Sequence, residues 1–69
     1  MTQNEKVLSH LQKYGTITPI KALSEYCIMR LASRITDLKH DGYRISKKML
    51  VRRNRAGETV RYAEYRLEE

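Results

Sequence analysis

Two kinds of periodicity meet within residues 28–45, whose sequence is IMRLASRITDLKHDGYRI. The apolar residues of the first half are spaced four and three apart: Leu31, Ile35 and Leu38. This spacing predicts one apolar face on a helix over about residues 29–41, and Gly42 then stands where glycine commonly ends a helix. From Tyr43 onward apolar and polar residues alternate, as is typical of a β-strand. The stretch therefore predicts a helix that leads directly into a strand.

Two further helices are predicted upstream of this stretch. Thr2 and Glu5 have the spacing of a capping box, which starts a first helix that ends near Gly15. Thr18 can cap a second helix, with Pro19 at its first position. The second helix is joined to the third by a tight turn, which is the helix-turn-helix arrangement.

The remaining segments are predicted to be extended. Residues 16–17 favour an extended link between the first two helices, and residues 53–58 contain turn-forming residues between two β-prone runs. Alternation fails near residues 63–64, where a bulge is expected. The predicted fold class is therefore α+β, mainly α: a winged helix-turn-helix domain over residues 1–69, with three helices followed by a two-stranded antiparallel β-hairpin wing.

The predicted core consists of apolar helix residues and of tyrosines. Ile20 and Leu23, with Tyr26, are expected to form the apolar face of the second helix, and Cys27 is expected to be a small buried residue. His10 is expected to be an ordinary surface residue. The tyrosines are expected in the core or at its edge, and the alternative is that they stack on single-stranded nucleic acid: Tyr14, Tyr26, Tyr43, Tyr62 and Tyr65.

Positive charge is concentrated in one part of the chain. The net charge is +6, and residues 44–61 carry seven Lys/Arg against a single Glu. A basic segment within a basic domain is the footprint expected of a phosphate-binding surface. The alternative is a solvated surface that serves solubility.

Several classes of function find no support in the sequence. The single cysteine and two histidines have no metal-ligand spacing, and the carboxylates show no catalytic pattern, so no metal, cofactor, small-molecule substrate or enzymatic activity is expected. Neither a signal peptide nor an apolar run of about 18 residues is present, which predicts a cytoplasmic protein without membrane contact.

The third helix supplies the predicted base contacts. An α-helix fits the major groove of B-DNA, so the side chains opposite the apolar stripe would face base edges. These candidates are Arg30, Ser33, Arg34, Asp37 and His40. Arg30 is preferred as a reader because base contacts concentrate near the N-terminal end of such a helix. Two alternatives are structural: Arg34 pairs with Glu25 or Asp37, and Asp37 orients an arginine.

Phosphate or minor-groove contacts are predicted for the start of the second helix and for the wing, centred on about residues 52–58. These candidates are Thr18, Lys21, Lys47, Lys48, Arg52, Arg53, Asn54 and Arg55.

Four segments together resemble a family of short winged helix-turn-helix proteins common in phage and prophage genomes. They are residues 17–23, 28–38, 41–45 and 65–67. The resemblance implies a winged-helix fold and DNA binding in a phage regulatory or recombination setting.

The predicted function is sequence-specific binding of double-stranded DNA, as a phage-type transcriptional regulator or an excisionase-like architectural factor. A dimer that forms on DNA is one expected assembly. The alternative is a protein-interaction module on the same fold, such as a phage-encoded inhibitor that binds an acidic surface of a host protein, because such a surface can imitate DNA.

Overall fold

The computed structural model describes residues 2–68; Met1 and Glu69, the two ends of the predicted domain, lie outside the described residues. The architecture is α+β. The elements in chain order are α1 (Gln3–Tyr14), β1 (Thr16–Ile17), α2 (Pro19–Tyr26), α3 (Leu31–His40), β2 (Arg44–Arg53) and β3 (Thr59–Glu68). The three predicted helices are all present.

Local sequence sets the ends of α1 and α2. The Thr2 hydroxyl accepts a hydrogen bond from the Glu5 backbone N–H at 3.1 Å, and the Glu5 carboxylate accepts one from the Thr2 N–H at 3.3 Å. Gly15 ends α1 with a φ of 85°. The Thr18 hydroxyl caps α2 by accepting from the Lys21 N–H at 3.2 Å. The predicted capping box, glycine stop and threonine cap are therefore confirmed.

The junction between α2 and α3 reverses the chain at Cys27. This residue has a φ of 56°, in the left-handed region, and its N–H donates to the Leu23 carbonyl at 2.9 Å. The expectation that Cys27 is buried is wrong, because the reversal leaves it exposed and turns Ile28 into the core instead. Helix α3 then begins at Leu31, two residues later than predicted, with Arg30 at its N-cap.

The sheet has three strands, so the prediction of a two-stranded hairpin is corrected. Strand β3 lies in the centre, between β2 and the two-residue strand β1. Thr16 is opposite Arg66 and Ile17 is opposite Tyr65. The expected extended link thus pairs with the free edge of β3, because its backbone N–H and C=O groups need partners.

The β2–β3 hairpin keeps one register from end to end. Arg44 is opposite Glu68 at its base and Arg53 is opposite Thr59 at its tip, with every intervening residue paired. The bulge expected near residues 63–64 is therefore absent from the hairpin. A regular ladder makes side chains alternate strictly between its two faces.

The helices and the base of the hairpin enclose one apolar core. Its buried members are Val7, Leu11, Ile17, Ala22, Ile28, Leu31, Ile35, Leu38, Ile45 and Tyr65. The expectation for α2 is wrong for Ile20 and Leu23, which are 70% and 51% exposed, whereas Tyr26 packs half-buried against the core. Ala22 is the buried residue of that helix. The small Ala22 side chain is the one that α2 turns inward.

Aromatic residues divide between the core and the surface. Tyr65 is buried, Tyr26 and Tyr62 are half-buried, and Tyr14 and Tyr43 are exposed, so the core assignment holds for some of them only. His10 is 5% exposed, which corrects its placement at the surface.

Within residues 2–68, no helix is long and apolar enough to cross a membrane. The same residues contain no group of three or more His, Cys, Asp or Glu side chains that could hold a metal ion.

Candidate nucleic-acid interface

Helix α3 has one face in the core and one in solvent. Leu31, Ile35 and Leu38 anchor the buried face. The exposed residues of the helix form what we call the reading face: Ala32, Ser33, Thr36, Lys39 and His40. Of these, Ser33 and His40 are among the contacts predicted from the sequence, and the other three are not. The helical period places Thr36 on the side away from the apolar stripe, whereas Ala32 and Lys39 flank the stripe, so the period alone does not identify these two as exposed.

Arg30 stands at the N-terminal end of the reading face. Its side chain is exposed and makes no capping hydrogen bond, while its backbone carbonyl accepts from the Ser33 N–H at 3.1 Å. The backbone of Arg30 therefore belongs to the helix start, and its guanidinium extends into solvent. A long cationic side chain in this position can reach a base edge or a phosphate.

Arg34 and Asp37 belong to a contact between α3 and α1. Arg34 Nη2 lies 3.3 Å from Asp37 Oδ2, and that same oxygen accepts from Asn4 Nδ2 at 3.3 Å. Both α3 residues are half-buried. The structural alternative for this pair is thus present in the fold: Asp37 orients Arg34 and links α3 to the first turn of α1. Arg34 lies beside the reading face rather than on it.

The start of α2 holds the next pair of candidates. The Thr18 hydroxyl is engaged as the helix cap, and Lys21 Nζ lies 3.8 Å from Glu25 Oε1 on the solvent side. Both partners of this ion pair are about half exposed, so the pair restrains Lys21 only weakly. Its ammonium stays available to an anion.

The hairpin tip is shaped by Asn54. Its side-chain oxygen accepts from the N–H groups of Ala56 and Glu58, each at 3.0 Å. Gly57 completes the turn with a φ of 79°, which glycine adopts without strain. The predicted contact residue Asn54 therefore has a structural role, and the tip presents Arg55 on a defined turn.

Four other predicted contacts lie on the strands of the hairpin. Lys47 and Arg53 share one face, which is the face of the buried Ile45, and Lys48 and Arg52 share the other. All four are exposed, and none forms an ion pair with a described residue. The sequence predicts these residues as one wing, whereas the structure divides them between two faces.

An exposed apolar patch adjoins the start of α3. Met29 is 86% exposed and borders a shallow groove of about 210 Å³ with Pro19, Ile20, Leu23 and Ile28. Exposed apolar surface of this kind commonly marks an interaction site.

A separate cleft of about 360 Å³ lies between α1 and α2. Its polar groups are engaged with one another: His10 Nδ1 and the Tyr26 hydroxyl are 2.7 Å apart, and Lys21 is paired with Glu25. Burial lowers the pKa of His10 below its usual value, so the imidazole is neutral at pH 7. We therefore assign this cluster to the packing of α1 against α2.

No curated protein matches the chain. The family described as "winged helix-turn-helix domain" matches residues 2–69, which is nearly the full length. Domains of this family are typically non-enzymatic modules that bind DNA. With its helix-turn-helix pair, exposed α3 face and terminal hairpin, the chain belongs to the winged helix-turn-helix domain family.

Proposed function

We propose that the protein is a sequence-specific binder of double-stranded DNA that reads the major groove with α3. The observation that carries this proposal is the solvent-exposed reading face, which Arg30 precedes and a basic hairpin follows. The reading face consists of small, polar and basic side chains, which suit base edges, and its buried side anchors the helix rigidly in the core.

The hairpin supplies contacts of a different kind in this proposal. Phosphate contacts fix the position of a protein on the duplex but carry no base information. The hairpin has five exposed cations predicted for such contacts, of which a duplex can touch only those on the side turned toward it: Lys47, Lys48, Arg52, Arg53 and Arg55. Lys21, beside the N-terminus of α2, can join them.

The test begins with selection of a preferred site from a random duplex library, followed by fluorescence anisotropy of the wild-type protein and two variants. Arg30→Ala and Lys39→Ala remove the same charge from opposite ends of α3. Loss of a good bidentate base contact costs about 1–3 kcal/mol, so we expect Arg30→Ala to weaken the preferred site by about 5- to 150-fold and unrelated duplexes much less. Lys39 lies in the last turn of α3, away from the N-terminal end where base contacts concentrate, so Lys39→Ala should weaken both duplexes alike.

Two biological settings fit this activity, and one assay separates them. A phage-type transcriptional regulator would bind one site as a monomer or as a dimer formed on DNA. An excisionase-like architectural factor would bind several copies side by side and bend the duplex. Circularly permuted fragments in a gel-shift experiment measure the bend, and the number of shifted bands gives the number of bound copies.

A second function, docking to an acidic protein surface, is favoured by the exposed apolar side chains of Ile20, Leu23 and Met29. Charged phosphates do not pack against an apolar patch, whereas protein interfaces commonly bury one. If duplex binding at physiological salt is no tighter than the non-specific range of about 10⁻⁴–10⁻⁶ M, the DNA-reading proposal fails. Capture of a protein partner that Leu23→Ser abolishes would then support this second function.

A further inference from the structure

The register of the hairpin divides its charged side chains into two unlike faces. Ile45 and Tyr65 are buried against the helices and define the inner face. Because side chains alternate along each strand, the inner face also contains Lys47 and Arg53 of β2 and Arg61 of β3, the last opposite Val51. Arg61 is not among the contacts predicted from the sequence.

Acidic residues of the strands occur on the outer face only. Within the described part of the hairpin, Glu64 lies opposite Lys48 and Glu68 lies opposite Arg44. The hydroxyl of Ser46 donates to Glu68 Oε1 at 2.7 Å on that same face. Cross-strand neighbours of opposite charge attract each other. Two of the outer cations, Arg44 and Lys48, thus have a carboxylate directly opposite them, whereas Arg52 lies opposite Val60.

The inner face, by contrast, has three cations and no carboxylate among its described strand residues: Lys47, Arg53 and Arg61. All three are exposed. Such a surface attracts an anion without competition from acidic neighbours. It is the more strongly positive of the two faces, because the four basic residues of the outer face share it with Glu64 and Glu68.

The inner face is also open to a ligand of large size. Met49 and Val51 lie on the inner face between the cations and are 54% and 61% exposed. The half of the hairpin nearer its tip therefore extends past the helices. On the opposite face the corresponding positions are Leu50 and Tyr62, which are cross-strand partners and both half-buried.

Helix α3 lies on the inner side of the sheet, because its apolar face shares one core with Ile45 and Tyr65. The reading face of α3 is turned away from this core, so a duplex bound to it lies on the inner side of the sheet. The inner face of the hairpin is turned toward that same side. We propose that the inner face is the DNA-backbone contact surface of the hairpin and that Arg61 binds a phosphate there. The inference rests on the proposed function and adds to it which hairpin cations contact the duplex.

The test uses two matched pairs of charge-removing variants. Arg61→Gln and Arg52→Gln remove an exposed arginine from the inner and outer face at neighbouring levels of the hairpin. Lys47→Gln and Lys48→Gln repeat the comparison with adjacent lysines. Each member of a pair lowers the net charge equally, so general electrostatic attraction changes alike and only direct contact differs. Thermal unfolding confirms that each variant folds.

Affinity for one duplex is measured by anisotropy between about 50 mM and 300 mM salt. Each phosphate contact contributes about 0.9 to the slope of log K against log salt. We expect each inner-face variant to reduce the slope by about 0.9 and to weaken binding about 8-fold at 0.1 M salt, if affinities converge near 1 M salt. Each outer-face variant should lose less than about 2-fold.

Equal losses within the pairs, or larger losses from the outer face, would overturn the assignment of the inner face while leaving DNA binding intact. A loss with Lys47→Gln but not Arg61→Gln would overturn the role of Arg61. Absence of duplex binding by the wild-type protein would overturn the proposed function and this inference with it.

Discussion

Ile28 is the residue whose replacement tests the packing of this fold most directly. It lies in the turn between α2 and α3 and is 1% exposed. Ile28→Ala removes three carbon atoms, worth about 2.4 kcal/mol at about 0.8 kcal/mol each. The cavity left behind adds to this loss. We therefore expect the free energy of unfolding to fall by about 3–4 kcal/mol.

That loss is large for a protein of this size. A 69-residue domain has a free energy of unfolding of about 3–10 kcal/mol. Each kcal/mol lowers the Tm of such a domain by about 4–8 °C, so Ile28→Ala should lower the Tm by about 12–30 °C. Urea and thermal unfolding followed by far-UV circular dichroism measure both quantities.

Ile20→Ala is the matched control, since it makes the same chemical change in the same helix-turn-helix segment. Its side chain is 70% exposed, so only about a third of the 2.4 kcal/mol applies and the expected loss is about 0.7 kcal/mol. Sequence periodicity alone predicts the opposite, with Ile20 in the core. Equal destabilisation by the two variants would falsify the packing described for α2.

Substitutions at three further positions test individual features of the fold. Cys27→Gly should raise the free energy of unfolding, measured in urea, by about 0.5 kcal/mol, because a non-glycine residue with a φ of 56° is strained. The greater freedom of glycine in the unfolded state offsets part of this gain. A free energy of unfolding below that of the wild type would contradict this prediction. Thr18→Ala should lose about 1 kcal/mol with the cap, and Thr18→Ser should retain most of it in the same assay. His10 has a pKa below its usual 6.5 because burial disfavours its charged form, so the unfolded state binds the proton more readily. Its contribution to stability is complete above about pH 6.5 and is lost as the pH falls towards the folded-state pKa. Unfolding midpoints between about pH 5 and 8 should therefore fall less steeply on acidification in His10→Gln than in the wild type, and parallel curves would exclude the buried imidazole as the cause.

The ends of the helices were predictable because their causes are local. The capping box of Thr2 and Glu5, the stop at Gly15 and the cap at Thr18 each involve residues within a few positions of one another. The buried stripe of α3 was equally clear, since three apolar residues at helical spacing leave one choice of face.

The face of α2 was not predictable in this way. An eight-residue helix has little more than two turns, and Ala22 and the pair Ile20 and Leu23 offered two apolar faces. Which face is buried depends on how closely α2 approaches its neighbours, and that distance is a property of the assembled core. The same holds for His10, whose partner Tyr26 is 16 residues away.

The candidate interface also combines features that have local causes with features that distant contacts decide. Charge composition located the basic hairpin, and helical period located the outer side of α3. The contact of Asn4 with Asp37, which joins α1 to the local pair of Arg34 and Asp37, connects residues 33 positions apart and has no local signal.

Sequence alone was sufficient for three helices, a basic β-hairpin and the winged helix-turn-helix class, because caps, periodicity and charge act over one or two turns of chain. Tertiary structure was needed for the third strand, for the buried side of α2 and for the two faces of the hairpin. These depend on pairing between distant segments: Ile17 with Tyr65, and Val51 with Arg61. A shift of one residue in such a register would move every side chain of the strand to the other face, and only the packed core holds it in place.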